Sequence, residues 1–167
     1  MDFNEDFCEE LRKKFPSVRV FQEDVRKLNF DENERFDVVT CIELVQNLNK
    51  DNLIELLRKL WGVTKTLLIN ISNRNSLHNW WIEKRGFKKD FVFNYTPDEF
   101  DGYLEEAGFR IVYRKGIGLV TPISLFSGFM WKLMPIWFAK VVNKLDRYAT
   151  KRCHLYYVEA INEEVFV

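Results

Sequence analysis

The stretch Phe36-Asp37-Val38-Val39-Thr40-Cys41-Ile42-Glu43 decides the fold. After Asp37 it is almost wholly apolar and partly β-branched, the composition of a strand over Phe36–Ile42 buried on both faces. Downstream, Asp51 to Gly62 reads as a helix, because Leu53, Ile54, Leu57, Leu60 and Trp61 make one apolar stripe and Gly62 suits its C-terminal end. Lys65-Thr66-Leu67-Leu68-Ile69-Asn70-Ile71 is a further strand. Strand, helical connection and strand in this order form a βαβ unit, which implies an α/β fold built on a parallel sheet.

Upstream, Asn4 to Phe15 reads as a helix. Asn4 caps it, Asp6 and Glu9 suit its positive end, Phe3, Phe7 and Leu11 share a stripe, and Pro16 stops it. Val18 to Gln22 reads as a short strand, and Glu23 to Arg35 as an irregular connection. Beyond Ile71 a helix is expected within Asn73 to Arg85, carrying Leu77, Trp80 and Trp81. Thr96-Pro97-Asp98-Glu99 is a helix start, with Thr96 as cap and Pro97 in the first position. Phe100, Tyr103, Leu104 and Ala107 supply that helix's buried face, and Gly108 ends it. Phe109 to Lys115 and His154 to Ile161 are the last two strands. Between them, Ile117 to Val142 is apolar but broken by Gly128, Pro122, Pro135, Lys132 and Lys140, so it reads as short helices rather than one membrane-crossing helix.

Composition bounds the function. With 167 residues and 47% hydrophobic content, the chain has enough material for one core, and a single domain over 1–167 is expected, with 117–150 as a helical cap or insertion. The 25 basic and 25 acidic residues cancel, so no overall field recruits nucleic acid, and no nucleic-acid partner is expected. Three widely spaced cysteines, Cys8, Cys41 and Cys153, argue against a disulfide framework and for a reducing, cytoplasmic compartment. The acidic start MDFNEDFCEE contains no signal-peptide run. With two histidines and no CxxC or HExxH pattern, no metal site is expected.

The order of segments resembles the class I S-adenosylmethionine-dependent methyltransferases, and within them the broad small-molecule group called type 11. Asp2-Phe3-Asn4-Glu5-Asp6-Phe7 looks like that family's second-strand end and following helix. Gln22-Glu23-Asp24-Val25, followed by Leu28-Asn29-Phe30, is similar to the acidic turn after its third strand, with Asn29 where proline is usual. Phe36 to Glu43 resembles the fourth strand, and Tyr95 to Phe100 through Glu106 to Phe109 the late helix and sixth strand. The implied fold is a Rossmann-like methyltransferase sheet, incomplete at the N-terminus, with a helical insertion before the last strand. The family's first strand and its Asp-x-Gly-x-Gly turn have no counterpart before the first helix. The pattern resumes at Asp2, directly after Met1, so an internal start, a shortened gene or a mis-assigned start is expected.

The resemblance implies S-adenosylmethionine as cofactor. Asp2 would take the ribose hydroxyls, and Phe3 beside it is a further cofactor-binding residue. Asp24 would take the adenine amino group, with the Val25 N–H on the ring. Cys41 and Ile42 would lie against the adenine or the methionine part. Each has a plainer reading: a frayed terminal acid for Asp2, a loop carboxylate or helix cap for Asp24, core packing for Cys41 and Ile42. Methyl transfer from a sulfonium needs alignment, and a base only where the nucleophile carries a proton. Glu43 and His78 are candidate bases, and both also read as ordinary structural polar residues.

Two function classes follow: a methyltransferase, or a fragment of one, acting on a small acceptor that the aromatic residues of 117–142 would suit if it is apolar; or a non-catalytic relative acting through association. The missing strand would leave sheet edges open to a second copy or a partner chain. Without the glycine turn the isolated chain is expected to bind S-adenosylmethionine weakly or not at all. Contact of 117–142 with a membrane surface is a further expectation.

Overall fold

A computed structural model describes residues 2, 4–31, 33–84, 93–119 and 136–164. The chain divides into two compact units, residues 1–34 and residues 35–167.

In the first unit, α1 spans Glu5–Lys14, and the Asn4 side chain accepts from the Phe7 N–H as its cap. The buried residue of α1 is Cys8, whereas Phe7 is exposed and Leu11 half-buried, so the expected Phe7–Leu11 stripe is not its inner face; Phe3 lies outside the described residues. Val18 to Gln22 does not form a strand. Only Gln22 bridges in parallel to Asp2, through Asp2 N–H to Phe21 O at 3.2 Å and Glu23 N–H to Asp2 O at 2.9 Å. Among the described residues this bridge is the pairing found there, and Val18 and Phe21 stay more than half exposed.

The second unit holds a four-stranded sheet in the order β1-β2-β4-β3, where β1 is Phe36–Cys41, β2 Thr64–Ser72, β3 Arg110–Ile117 and β4 Leu155–Ile161. β1 and β2 run parallel, and the connection between them is α2, Lys50–Trp61. β4 runs antiparallel to both β2 and β3, so the sheet is mixed rather than parallel throughout. The short link from Tyr148 to β4, after a helix, sends the chain back between β2 and β3.

Burial follows position in the sheet. β2 buries Leu67, Ile69, Asn70 and Ile71, and β4 buries Tyr156, Val158 and Ala160 on alternate positions. β1 is not buried on both faces as its composition suggests. Val38 is 52% exposed, Phe36 and Val39 are half-buried, and only Cys41 is buried. The reason is topological: β1 is an edge strand of this sheet, so its apolar run reflects β-propensity more than a two-sided core.

α2 is capped by the Asn49 side chain on the Asn52 N–H and lays Leu53, Ile54, Leu56, Leu57 and Leu60 into the core against β2. Each such leucine is worth about 2 kcal/mol of transfer free energy before chain entropy is counted. Helix α3 spans Leu77–Lys84. Helix α4, Pro97–Glu106, opens on the expected Thr96 cap, completed by the Glu99 carboxylate accepting from the Thr96 N–H at 2.8 Å. Its C-terminal Gly108 has φ +100°, a left-handed position where a Cβ would stand 2.7 Å from Trp61 Nε1. Helix α5, Ile136–Tyr148, belongs to the expected insertion and packs against β3. The other residues singled out there, Phe126, Phe129, Met130 and Trp131, lie outside the described residues, as does the side chain of Phe138.

Candidate functional site

In the first unit, Asp2 and Asp24 flank the same short bridge, because Asp2 pairs with Gln22 two residues before Asp24. Asp2 uses Oδ1 to accept from the Asn4 N–H at 2.9 Å. Asp24 caps the 3-10 turn Val25–Lys27 by accepting from the Arg26 N–H at 3.0 Å. Both Asp24 oxygens also receive the Arg26 guanidinium, Nη2 to Oδ2 at 2.6 Å and Nε to Oδ1 at 2.9 Å. That hydrogen-bonded cation holds the Asp24 carboxyl well below its usual range, at about 2. An adenine amino group would have to share or displace Arg26. Val25 opens the turn, half-buried.

In the second unit, Cys41 closes β1 and pairs with Ile69 of β2. It is buried, and burial pushes its thiol up to about 11. Ile42 follows, 51% exposed, so of the two only Cys41 is a packing residue.

Glu43 comes next and changes the picture. Its φ is +55°, the only positive value at a non-glycine among the described residues. A left-handed residue with a Cβ costs about 1–2 kcal/mol, so other contacts must hold it. Its N–H donates to Asn70 Oδ1 at 2.8 Å, while Asn70 Nδ2 donates to Glu43 Oε1 at 2.6 Å. Gln46, in the 3-10 turn Val45–Asn47, donates from Nε2 to Glu43 Oε2 at 2.8 Å. Asn70 is fully buried and Gln46 is 7% exposed, whereas Glu43 itself is exposed. Two buried amides thus grip one exposed carboxylate at the carboxyl end of β1. Gln46 Oε1 is left without a donor, a cost of about 1–3 kcal/mol for a buried acceptor. Tyr157, the register partner of Asn70 on β4, stands close enough that burial first, and then the Glu43 charge, raise its pKa.

Of the two candidate bases, Glu43 is therefore built into a cluster at the strand ends, where ligands of α/β sheets bind. His78 lies elsewhere in this unit, with its ring against His154 at 4.3 Å between centroids. Asn73 ties the same region together, donating from Nδ2 to Lys151 O at 3.0 Å and Cys153 O at 2.9 Å. A groove of about 520 Å³ opens beside it, between Arg74, Leu77, Trp80 and Arg152. Gln46, Asn70 and Tyr157 were not singled out from sequence. A usable signal existed for one of them: Asn70 is the lone polar residue between Thr66 and Ser72 in an otherwise apolar stretch.

Comparison with known proteins supplies the frame for this geometry. A family model described as a methyltransferase domain matches residues 1–66. No curated protein matches the chain by sequence. Magnesium protoporphyrin IX methyltransferase from Synechocystis PCC 6803, solved with bound S-adenosylhomocysteine, is similar over 96% of this chain and 62% of its own, at 12% identity and a TM-score of 0.63. A possible histamine N-methyltransferase from Thermotoga maritima is similar over 96% and 70%, at 16% identity and a TM-score of 0.60. A SAM-dependent methyltransferase from Archaeoglobus fulgidus is similar over 95% and 73%, at 20% identity and a TM-score of 0.57. The chain thus spans less than two thirds of the Synechocystis enzyme. It has a Rossmann-like class I methyltransferase fold, as its segment order implied. Among the described residues no helix is long and apolar enough to cross a membrane.

Proposed function

We propose that the chain is an S-adenosylmethionine-dependent methyltransferase, or part of one, acting on a small acceptor bound at the carboxyl end of β1. The observation that carries this reading is the Glu43–Asn70–Gln46 cluster. Supporting it are the left-handed, doubly held Glu43 carboxylate at the carboxyl end of β1 and the general tendency of α/β sheets to bind ligands at such strand ends. Glu43 would accept a hydrogen bond from the acceptor. In the first unit Asp2, Phe3, Asp24 and Val25 are the candidate cofactor contacts; in the second, taken by itself, they are Cys41 and Ile42. Asp2 fits this role in kind, since only its Oδ1 is in use; Asp24 fits only if Arg26 yields. The sequence contains no Asp-x-Gly-x-Gly turn, so affinity for the cofactor should be weak.

Photo-crosslinking with methyl-labelled S-adenosylmethionine at millimolar concentration, followed by peptide mapping, tests the assignment. Label on peptides covering Asp24 or Cys41 supports it, and label spread evenly over the chain, or absent, overturns it. Calorimetry should show binding weaker than micromolar. Micromolar affinity would refute the argument from the glycine turn.

A second reading, a methyltransferase-like protein acting through association, is favoured by the β1 edge, where Val38 is 52% exposed. Light scattering should then show self-association that Val38→Lys reduces. A clean monomer at high concentration counts against it.

A further inference from the structure

We propose that α5 is an interfacial helix that docks this protein on an anionic lipid surface. Trp137, Val141, Leu145 and Tyr148 recur at i, i+4, i+8 and i+11, a spacing that puts them on one helical face. All four are exposed: Trp137 by 64%, Val141 by 46%, Leu145 by 44% and Tyr148 by 78%. A soluble helix normally turns such a stripe inward. Here the inward position is taken by something else. Asp146 lies about two and a half turns after Trp137, on the opposite side. It is 4% exposed, and its two carboxylate oxygens accept the Gly118 N–H at 3.0 Å and the Leu119 N–H at 2.8 Å. Asp146 thus anchors α5 on the side away from the exposed apolar stripe.

Charge decides what that side meets. Lys140, Lys144 and Arg147 are exposed next to the stripe, and among the described residues none of them is ion-paired to a carboxylate. The single acid of α5 is Asp146, which is buried and already bonded. The outer face is thus apolar and cationic with no compensating carboxylate, while the whole chain is neutral. Trp and Leu above a Lys/Arg border is the composition of a helix lying in the headgroup layer, and the cations select anionic lipid. The helix of thirteen residues is too short to span, which agrees with surface docking. This inference stands apart from methyl transfer, since it uses no residue of the Glu43 cluster.

Vesicle co-sedimentation tests it. The full chain should bind vesicles of phosphatidylcholine mixed with phosphatidylserine at least tenfold more tightly than vesicles of phosphatidylcholine alone, and added salt should release it. The triple variant Lys140→Glu, Lys144→Glu, Arg147→Glu should lose binding at least tenfold, while the charge-matched control Lys13→Glu, Lys27→Glu, Lys115→Glu should lose little. Trp137→Ser with Leu145→Ser should lose binding even at low salt. All these side chains are exposed, and circular dichroism verifies that each variant folds. Equal binding to both vesicle types, equal loss in the control, or no binding to either overturns the proposal. So does a lipid-free dimer that Trp137→Ser with Leu145→Ser dissolves, because the face would then belong to a second copy of the chain.

Discussion

Replacing Asn70 by Asp changes one atom of the buried amide, Nδ2 to oxygen, and should make the stability of this protein depend on pH in a direction the structure dictates. In the native chain Asn70 Nδ2 donates to Glu43 Oε1 at 2.6 Å, and Asn70 Oδ1 accepts from the Glu43 N–H. The substitution keeps the acceptor and removes the donor. Two carboxyl groups then face each other across a hydrogen-bond distance, one of them at a fully buried position. Losing the charge-assisted bond costs about 1.5–3 kcal/mol. Like-charge repulsion at about 4 Å adds between about 1 kcal/mol in water and about 4 at a protein surface, and the exposure of Glu43 favours the lower figure. A total near 3 kcal/mol at pH 8 is expected. The folded state avoids the repulsion by keeping a proton on the introduced carboxyl, whose pKa is raised above its unfolded value. A group with a raised folded pKa stabilises below its unfolded pKa and loses that contribution as pH rises through the folded value. Asn70→Asp should therefore approach the parent chain near pH 4 and fall furthest behind above neutrality. Urea unfolding of both proteins from pH 4 to pH 8 measures this. A stability difference that is flat with pH, or that grows on acidification, would refute the geometry assigned to Glu43 and Asn70.

Two further outcomes follow from particular contacts. Gly108→Ala places a methyl group 2.7 Å from Trp61 Nε1 at φ +100°. Left-handed strain and the clash together should cost about 2–4 kcal/mol, seen in urea unfolding, and Trp61→Leu should recover part of it. The Cys41 thiol is pushed up to about 11 by burial, and the Cys153 thiol to about 12 by burial and the Asp146 charge. At pH 8 both should alkylate at least about a hundredfold more slowly in the folded chain than in urea, because the thiolate is the nucleophile. Equal rates by peptide mass spectrometry would show that neither site is as closed as described.

Much of the fold was legible as local chemistry. Thr96-Pro97-Asp98-Glu99 announces a helix start because the cap accepts from an unpaired N–H, proline in the first position has none to leave unpaired, and the acids face the positive helix end, and α4 begins there. The stripe of Leu53, Leu57 and Leu60 announces α2 for a similar reason, since periodicity and burial are one fact seen twice. The site was less legible. Glu43 was marked as a candidate, but its two holders were not, because Asn70 lies 27 residues away and meets it only when β1 and β2 pair in parallel.

By itself, the sequence determined most of the helices and strands, their order, and through that order the methyltransferase type of fold. The tertiary structure alone decided burial and partnership. Phe36 to Cys41 has the composition of a central strand, yet its place at the sheet edge leaves Val38 exposed. Val18 to Gln22 has strand composition, yet among the described residues only Gln22 pairs, with Asp2. The α5 stripe has the periodicity of a buried face, yet Trp137, Val141, Leu145 and Tyr148 are exposed while Asp146 is buried on the other side of the helix. Periodicity records that a face is apolar. What that face meets depends on neighbours brought in from distant parts of the chain.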